Sequence, residues 1–423
     1  MNVAKSLLKQ GVDFRAKGNW VARRPRLAVV SPFVDKSHGT ERMVAEWLKV
    51  LAETFEIHVY SQDFHDVDLS NVVWHRISKL PGPHLANFLW WFAANRICRA
   101  WHRFRGLRYD LVFSPGINCL DADAISVHIV FAELVRRLGP ELRFTRNSIG
   151  LWPRLLHRKL YYRLAIVLEQ MVFAKRKVQL ILTAPQTADE LKRFYGRTDR
   201  LPIVPAGLDL EIFSPQNRLS LRQRARSELS LGGDQIVLLL VGNDWRKKGL
   251  FTLLDALEAL REQPLVLLVA GADDTAVFEA ILAKKTLERT VRFLPTRKDV
   301  EFYYAAADLY VGPSLEDTFA LPAAEAMACG LPVIISARAG ASALVTHGQD
   351  GLILTDPTDA KALSKLIHSL CLDEHLRTQL GGCAAKTVLP FTWERSSREL
   401  TAILDEILQR KAAFHAQTLT QEP

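Results

Sequence analysis

The most specific segment of the sequence is Pro313-Ser-Leu-Glu-Asp-Thr-Phe-Ala-Leu-Pro-Ala-Ala-Glu-Ala-Met-Ala-Cys-Gly-Leu-Pro-Val-Ile-Ile-Ser336. It reads as a polar turn, an alanine-rich helix, a glycine and an apolar strand. Asp317 and Thr318 are expected to cap the helix, and Pro322 suits its first turn. The exposed amides of such a helix N-terminus form a site for a diphosphate. Glu325, about one turn later, can accept hydrogen bonds from ribose hydroxyls.

Apolar strands and amphipathic helices alternate on both sides of this segment, which predicts parallel sheets covered on both faces. The expected strands are residues 26–31, 55–60, 109–113, 124–128, 178–183, 202–205, 235–241, 265–270, 291–294, 308–312 and 332–336. The expected helices include residues 40–52, 85–105, 151–175 and 249–262.

This alternation of strands and helices occurs in both halves of the chain, so we expect an α/β fold of two Rossmann-like lobes. Their cleft is the expected ligand site, because ligands lie beyond the carboxyl ends of parallel strands. The best boundary is Pro205–Pro215. The predicted order is a basic N-terminal arm (1–24), a first lobe (25–206), a linker (207–230), a second lobe (231–390), a C-terminal helix (391–412) and a flexible tail (413–423).

Composition excludes several classes of protein. The chain has 423 residues, of which 48% are hydrophobic and 24% charged, so it is globular rather than disordered. No apolar run approaches the ~18 residues of a spanning helix, and the N-terminus lacks a signal-peptide core. Five scattered cysteines show no zinc spacing and fit a reducing cytosol. The net charge of +9 attracts nucleic acid, anionic lipid or phosphorylated ligands, without deciding among them.

Three further places carry candidate ligand-binding residues. The loop Val241-Gly-Asn-Asp-Trp-Arg-Lys-Lys-Gly249 combines glycines with the cations Arg246, Lys247 and Lys248 before a helix, which suits a diphosphate. A solvated basic loop is the plainer interpretation.

In the first half of the chain, Gly39 and Thr40 open a helix after a loop, as a phosphate-approaching loop does. His128 ends the strand 124–127, where side chains reach a ligand site. The alternative for His128 is a core or surface histidine.

Taken together, these motifs resemble retaining glycosyltransferases of the GT4 group, which have the GT-B fold. The sequence motif of that family is Pro-Ser, two residues, Glu-Gly-Phe-Gly-Leu, three residues, Glu-Ala-Met-Ala-x-Gly-x-Pro-Val. Its two acidic residues correspond to Asp317 and Glu325 in this sequence. Pro205-Ala-Gly-Leu-Asp209 resembles the interlobe motif. Phe391-Thr-Trp393 resembles the start of the final helix, which in the family returns to the first lobe.

The resemblance implies roles for individual residues. The amides of Phe319, Ala320 and Leu321 would meet the donor diphosphate, Lys248 matches the family lysine, and His128 would touch the donor sugar. Asn243 departs from the family arginine, so Arg246 or Lys247 would supply that charge; this loop is similar to the variant in lipopolysaccharide-core glucosyltransferases. His38 replaces a glycine, and residues 339–343 lack a family glutamate.

The expected activity is transfer of a sugar from a nucleoside-diphosphate donor, with retention, to a hydroxyl of a cell-envelope glycolipid or glycan. No cofactor is expected. Two Asp-x-Asp triplets, 66–68 and 121–123, could bind a metal ion. We expect none, because helix termini and lysines neutralise the diphosphate in this fold.

The first lobe also suggests a membrane surface. Residues 85–109 hold five arginines, no acid and the aromatics Trp90, Trp91 and Trp101. In a helix, Ile97, Trp101 and Phe104 fall on one face and Arg96, Arg99 and Arg103 on the other. Residues 142–177 hold nine cations against Glu169 alone. Basic amphipathic helices with aromatic anchors lie in interfaces. We therefore expect a cytoplasmic protein bound peripherally to the inner face of the plasma membrane. The alternative is that these aromatics pack into the lobe, as expected for Leu85, Phe88, Leu89 and Phe92.

Two other functions stay open at this point. A sugar-nucleotide isomerase or hydrolase can share the fold, and a non-catalytic protein could use its positive charge to bind polyanions. Nucleic acid is not an expected partner, because the sequence contains no RNP, helix-turn-helix or zinc-finger pattern.

Overall fold

The computed structural model describes residues 23–36, 39–65, 67, 71–139, 142–146, 150 and 152–419. The chain divides into two compact units, Met1–Pro205 with Glu394–Pro423 and Ala206–Trp393. Among the described residues, each unit holds a six-stranded parallel sheet flanked by helices, which confirms the predicted α/β class. Almost all of the predicted N-terminal arm lies outside the described residues.

The sheet of the first unit has the order β5-β3-β1-β6-β7-β8. Its strands, with a separate β2–β4 pair, are β1 (Arg26–Val30), β2 (Phe33–Val34), β3 (Glu56–Ser61), β4 (Asp63–Phe64), β5 (Val72–Arg76), β6 (Leu111–Pro115), β7 (Ala124–Val127) and β8 (Gln179–Leu182). Its helices are α1 (Gly39–Thr54), α2 (His84–Phe104), α3 (Phe131–Leu138), α4 (Trp152–Phe173) and α5 (Gln186–Tyr195).

Two strands of the first unit differ from the sequence prediction. Residues 202–205 form only an isolated bridge, Ile203 to Leu182, because Pro202 and Pro205 cannot donate to a ladder. The edge strand β5 was not predicted. Its residues Val73 and Trp74 are exposed, so it lacks the buried apolar run that marks the central strands.

The sheet of the second unit has the order β11-β10-β9-β12-β13-β14. Its strands are β9 (Ile236–Val241), β10 (Leu265–Ala270), β11 (Val291–Leu294), β12 (Leu309–Gly312), β13 (Val333–Ser336) and β14 (Leu352–Leu354). Its helices are α6 (Pro215–Glu228), α7 (Leu250–Glu258), α8 (Ala276–Lys285), α9 (Glu301–Ala306), α10 (Leu321–Ala328), α11 (Ala360–Leu372) and α12 (Glu374–Val388).

Helix α6 lies in the segment that was expected to be a linker, and it is part of the second unit. Arg218, Arg222 and Arg226 recur every four residues on one face and donate to carbonyls of residues 305–307. Arg222 and Arg226 also contact Asp308. These arginines satisfy orphan carbonyls at the C-terminal end of α9, where positive charge is favourable.

The last helix, α13 (Trp393–Leu419), returns to the first unit as expected and extends beyond its predicted end at residue 412. Ser396 Oγ accepts a hydrogen bond from Trp47 Nε1 (2.9 Å) and donates to the carbonyl of Pro205 (2.7 Å). Near its other end, Lys411 Nζ lies 2.9 Å from Asp123 Oδ1. In the described part of the chain, no helix combines the length and apolar character that crossing a bilayer requires.

Candidate active site

The central feature of the second unit is the loop between β12 and α10. Ala320 precedes α10 with a φ of 69°, a left-handed conformation that is uncommon for alanine. Asp317 Oδ1 accepts a hydrogen bond from the Ala320 amide (3.1 Å) and so caps the turn before the helix. Within the described residues, Thr318 forms no side-chain hydrogen bond that would cap α10, although this was predicted.

Two glycines hold neighbouring loops against this segment. A Cβ on Gly340 would lie 2.1 Å from the carbonyl oxygen of Thr318, and one on Gly249 would lie 2.0 Å from that of Pro313. The Gly340 amide also donates to the carbonyl of Asp317 (3.0 Å). Both glycines are required by close backbone approach, which fixes the shape of the loop.

The amides of Phe319 and Leu321 donate no hydrogen bond within the described part of the chain. They lie at the N-terminus of α10, where the helix dipole favours negative charge. Phe319, Ala320 and Leu321 are largely buried. Of the three predicted amides, that of Ala320 is already bonded to Asp317, so the amides of Phe319 and Leu321 remain as candidates for binding an anion.

Lys248 comes to the same loop from the turn after β9. Its stem crosses Gly242, where a Cβ would lie 2.8 Å from Lys248 Cε. Its ammonium contacts the carboxylate of Asp317, and the two side chains are only 18% and 14% exposed. The structure therefore brings together Lys248, Asp317 and the amides of α10. Asp317 caps the turn and also holds the lysine. The expectation that it binds substrate stays a prediction.

The other two cations of the turn lie at the surface. Lys247 Nζ is 2.7 Å from Asp244 Oδ2, and both side chains are 48% exposed. The Arg246 guanidinium lies 5.6 Å from the ring centroid of Phe251 and has no carboxylate partner among the described residues. Asn243 Oδ1 accepts from the Ala272 amide (2.9 Å), so it stabilises the loop. Arg246 is therefore a better candidate than Lys247 for supplying the positive charge that the family arginine would provide at position 243.

Glu325 is buried on the first turns of α10 with an exposure of 3%. The hydroxyl of Tyr304 lies 2.9 Å from Glu325 Oε2 and 3.1 Å from the carbonyl of Pro322. Burial, and then the charge of Glu325, raise the pKa of Tyr304 well above its ordinary value, so the phenol stays a donor. Tyr304 therefore orients the carboxylate. No motif in the sequence marked Tyr304, because only the tertiary fold brings α9 to α10.

The first unit holds the predicted histidine. His128 follows β7 and is 9% exposed, with Nε2 3.0 Å from Ser126 Oγ. Its Nδ1 is buried and has no partner among the described residues. Burial lowers the pKa of His128 to about 4, so its ring is neutral at physiological pH. A buried polar atom without a partner is rare, and a ligand would satisfy it.

Gly39 and Thr40 begin α1, as expected, and their side of the helix is at least partly exposed. Ser37 and His38, the preceding residues of the predicted loop, lie outside the described residues. A role of Gly39 and Thr40 in substrate binding stays a prediction.

The second Asp-x-Asp triplet is used in contacts of the first unit. Asp121 forms a two-pronged ion pair with the buried Arg99 (2.7 and 2.8 Å). Asp123 accepts from the Val112 amide (2.9 Å) and contacts Lys411. The triplet 66–68 lies largely outside the described residues. Within the described ranges, no group of three or more metal-ligating side chains is found.

The outer faces of α2 and α4 are unusually apolar. Arg99, expected on the polar face of α2, points into the unit, and Trp91 is buried at 2% exposure. Leu89 is exposed rather than part of the core. The exposed large side chains on the two helices are Leu89, Trp90, Ile97, Trp101, Phe104, Trp152, Leu156, Leu160, Val167 and Met171. We call these ten residues the apolar face.

Comparison with known families identifies the second unit. Residues 222–387 match the family model of glycosyl transferases group 1. The match includes Lys248, Asp317 and Glu325, and it confirms the resemblance seen in the sequence.

The chain is 30% identical over 256 residues to a D-inositol 3-phosphate glycosyltransferase of Corynebacterium jeikeium, an alignment that covers 57% of this chain and 60% of the relative. The chain therefore spans about three fifths of the length of that curated relative.

Two solved structures resemble the fold. A crystal structure of WaaG, a glycosyltransferase involved in lipopolysaccharide biosynthesis, has a TM-score of 0.75 and 19% identity, and the match covers 89% of this chain and 99% of that one. Anabaena HepE in complex with UDP-glucose has a TM-score of 0.63 and 19% identity, with 90% and 99% covered. These likenesses confirm the GT-B fold.

Proposed function

We propose that this chain, in which residues 222–387 form a glycosyl transferases group 1 domain, is a retaining glycosyltransferase that moves a sugar from a nucleoside-diphosphate donor to an acceptor hydroxyl. The observation that carries the proposal is the meeting of Lys248, Asp317 and the amides before α10, beside a buried and oriented Glu325. The fold's likeness to a protein with bound UDP-glucose supports the choice of donor.

Each part of this site has a task in the reaction. Glu325 accepts hydrogen bonds from the ribose, with its carboxylate held by Tyr304. The diphosphate lies against the amides of Phe319 and Leu321 and the ammonium of Lys248. Negative charge grows on the diphosphate as the glycosidic bond breaks, and these donors stabilise that charge without reorganising. Asp317 keeps Lys248 in place and competes with the diphosphate for it.

His128, with its neutral ring, is the candidate in the first unit for contacting the donor sugar, and its buried Nδ1 has to become accessible for that contact. In front-face attack the acceptor hydroxyl forms the new glycosidic bond on the face from which the diphosphate leaves, so retention needs no protein nucleophile. A phosphate oxygen of the departing diphosphate takes the proton of the hydroxyl, so no protein base is needed either. Helix amides and Lys248 neutralise the diphosphate, so transfer should continue in EDTA. A complete loss of transfer in EDTA that Mg²⁺ restores would contradict this part.

The proposed acceptor is a glycolipid or glycan of the cell envelope. Its support is the apolar face together with the surrounding arginines. Arg96, Arg103 and Arg163 are exposed on the same two helices, and the Arg105 guanidinium lies 4.6 Å from the ring centroid of Trp101. Basic helices with exposed aromatic side chains bind membrane interfaces. The chain would then act at the cytoplasmic membrane surface.

Calorimetric titration with nucleoside-diphosphate sugars tests the donor site. Glu325→Gln should weaken binding at least tenfold, because the lost hydrogen bonds to a charged acceptor contribute about 1.5–3 kcal/mol. Glu374→Gln, an exposed acid on α12, is the matched control and should bind like the wild type. Equal affinity of Glu325→Gln and wild type would refute the ribose assignment. Donor consumption with and without a glycolipid acceptor separates transfer from hydrolysis.

A further inference from the structure

A short turn links the histidine to the next helix. Only His128, Ile129 and Val130 lie between β7 and α3. Val130 is the N-cap of α3 and provides no side-chain hydrogen bond to the first turn. Because the turn is three residues long, the position of the first turn of α3 determines the position of His128.

The missing cap is supplied by another helix. Glu169, on α4, is fully buried, and its Oε1 accepts a hydrogen bond from the Phe131 amide (2.7 Å). Its Oε2 accepts from the Ala132 amide (3.2 Å) and from the hydroxyl of Tyr195 on α5. One carboxylate thus connects three helices at the end of the turn that carries His128.

This arrangement is costly for a structural cap alone. Glu169 forms no ion pair within the described residues, and burial raises its pKa to about 7. The nearby acid Glu190 adds to this rise, while Arg137 of α3 pairs with Glu190 (2.7 Å) and with Glu133 rather than with Glu169. A serine or asparagine at position 130 would cap α3 without burying a charge.

We propose that Glu169 is a positioning residue that holds the turn 128–130, and with it the backbone from which the imidazole of His128 projects, in the place needed for transfer. The inference rests on the proposed function. Two amides of α3 and one phenol donate hydrogen bonds to the buried carboxylate and fix it rigidly, so the backbone of His128 has one defined place. Glu169 itself touches neither donor nor acceptor.

The test uses the full-length chain and four variants. Glu169→Gln keeps the shape but replaces one acceptor oxygen by a donor. Asp123→Asn is the matched control, since its carboxylate also accepts a backbone amide but lies at the opposite end of β7. His128→Ala and the double variant Glu169→Gln/His128→Ala complete a cycle. Transfer kinetics give kcat and the donor KM, and NMR of labelled histidines gives the signal of His128.

Glu169→Gln should lower kcat at least tenfold with the donor KM within twofold, and should displace the His128 signal. Asp123→Asn should leave both unchanged. In the His128→Ala background, Glu169→Gln should have no further effect on kcat. Additive losses of kcat in the cycle, or an unchanged His128 signal in Glu169→Gln, would overturn the inference.

Absence of any transfer by the wild type would refute the proposed function instead, and the NMR comparison would still decide the inference. If Glu169→Gln does not fold, Tyr195→Phe removes one of the three hydrogen bonds. It should displace the same His128 signal by a smaller amount, and no displacement would again count against the inference.

Discussion

Ala320 holds the least favourable backbone conformation of the candidate donor site. A left-handed φ costs about 1–2 kcal/mol for a residue with a Cβ, and the family to which this segment is similar has glycine here. Strain of this kind persists where the surroundings fix the backbone. Here they are the bond from the Ala320 amide to Asp317 and the close approach of Gly340.

Replacing Ala320 by glycine should therefore stabilise the protein, by less than about 1 kcal/mol because glycine also gains freedom in the unfolded chain. Urea unfolding measures the change. Ala323→Gly, in the interior of α10, is the control and should destabilise by about 1 kcal/mol or more. A loss of stability in Ala320→Gly comparable to the control would show that the turn is not strained.

Lys248→Met should lower turnover more than it weakens donor binding, because the diphosphate gains charge as the sugar leaves. Methionine keeps the stem that crosses Gly242. The comparison of kcat with the donor dissociation constant measures the effect, and Lys247→Met, at the surface, should change neither more than about twofold. Equal losses in both quantities would mean that Lys248 contributes only to binding.

Among the secondary-structure elements, the sequence predicted the strands and helices better than the side-chain contacts between them. The continuous apolar runs of β9, β10 and β13 mark central strands directly, because both faces of these strands are covered. The helix α10 and the loop before it were predicted from the motif in residues 313–336. Tyr304 could not be predicted, since the neighbour of a helix is decided by packing.

Glu169 illustrates the same limit. In the sequence it is notable only as the one acid among nine cations in residues 142–177. Its value lies in three hydrogen bonds to two other helices, which no spacing along the chain encodes. The prediction that Arg99 lies on the polar face of α2 was wrong for a related reason. Arg99 is buried because it forms an ion pair with Asp121, which is 22 residues away in the sequence.

Because burial raises the pKa of Glu169, we expect the free energy of unfolding to depend on pH. This pKa rises from 4.5 to about 7 on folding, so the folded state holds the proton more tightly. The resulting stabilisation is complete below pH 4.5 and is lost as the pH rises through about 7, on the order of 3 kcal/mol in all. Urea unfolding at pH 5 and pH 8 should show this loss in the wild type and not in Glu169→Gln. The same pH dependence in both would contradict the assignment.

At the scale of the molecule, the two units differ in what they offer a membrane. The apolar face and the exposed Arg96, Arg103 and Arg163 beside it belong to the first unit. Each arginine near an anionic surface contributes about 1 kcal/mol, and salt weakens that part. Exposed aromatic side chains add anchoring that salt does not weaken.

Co-sedimentation with anionic and neutral vesicles across a salt series tests the membrane proposal. The wild type should prefer anionic vesicles at low salt, and Trp101→Ser/Phe104→Ser should bind several-fold more weakly. Leu219→Ser, a 65% exposed leucine of the second unit, should bind like the wild type. No preference for anionic vesicles would favour a soluble acceptor.

In the proposed reaction, a nucleoside-diphosphate sugar held by Lys248, Glu325 and the α10 amides transfers its sugar with retention at the anomeric carbon. The most direct measurement is proton NMR of the anomeric region while the enzyme consumes an α-configured donor in EDTA. Front-face attack predicts that the first product, a glycoside or the sugar released to water, carries the α-configuration. A β-configured first product would contradict it.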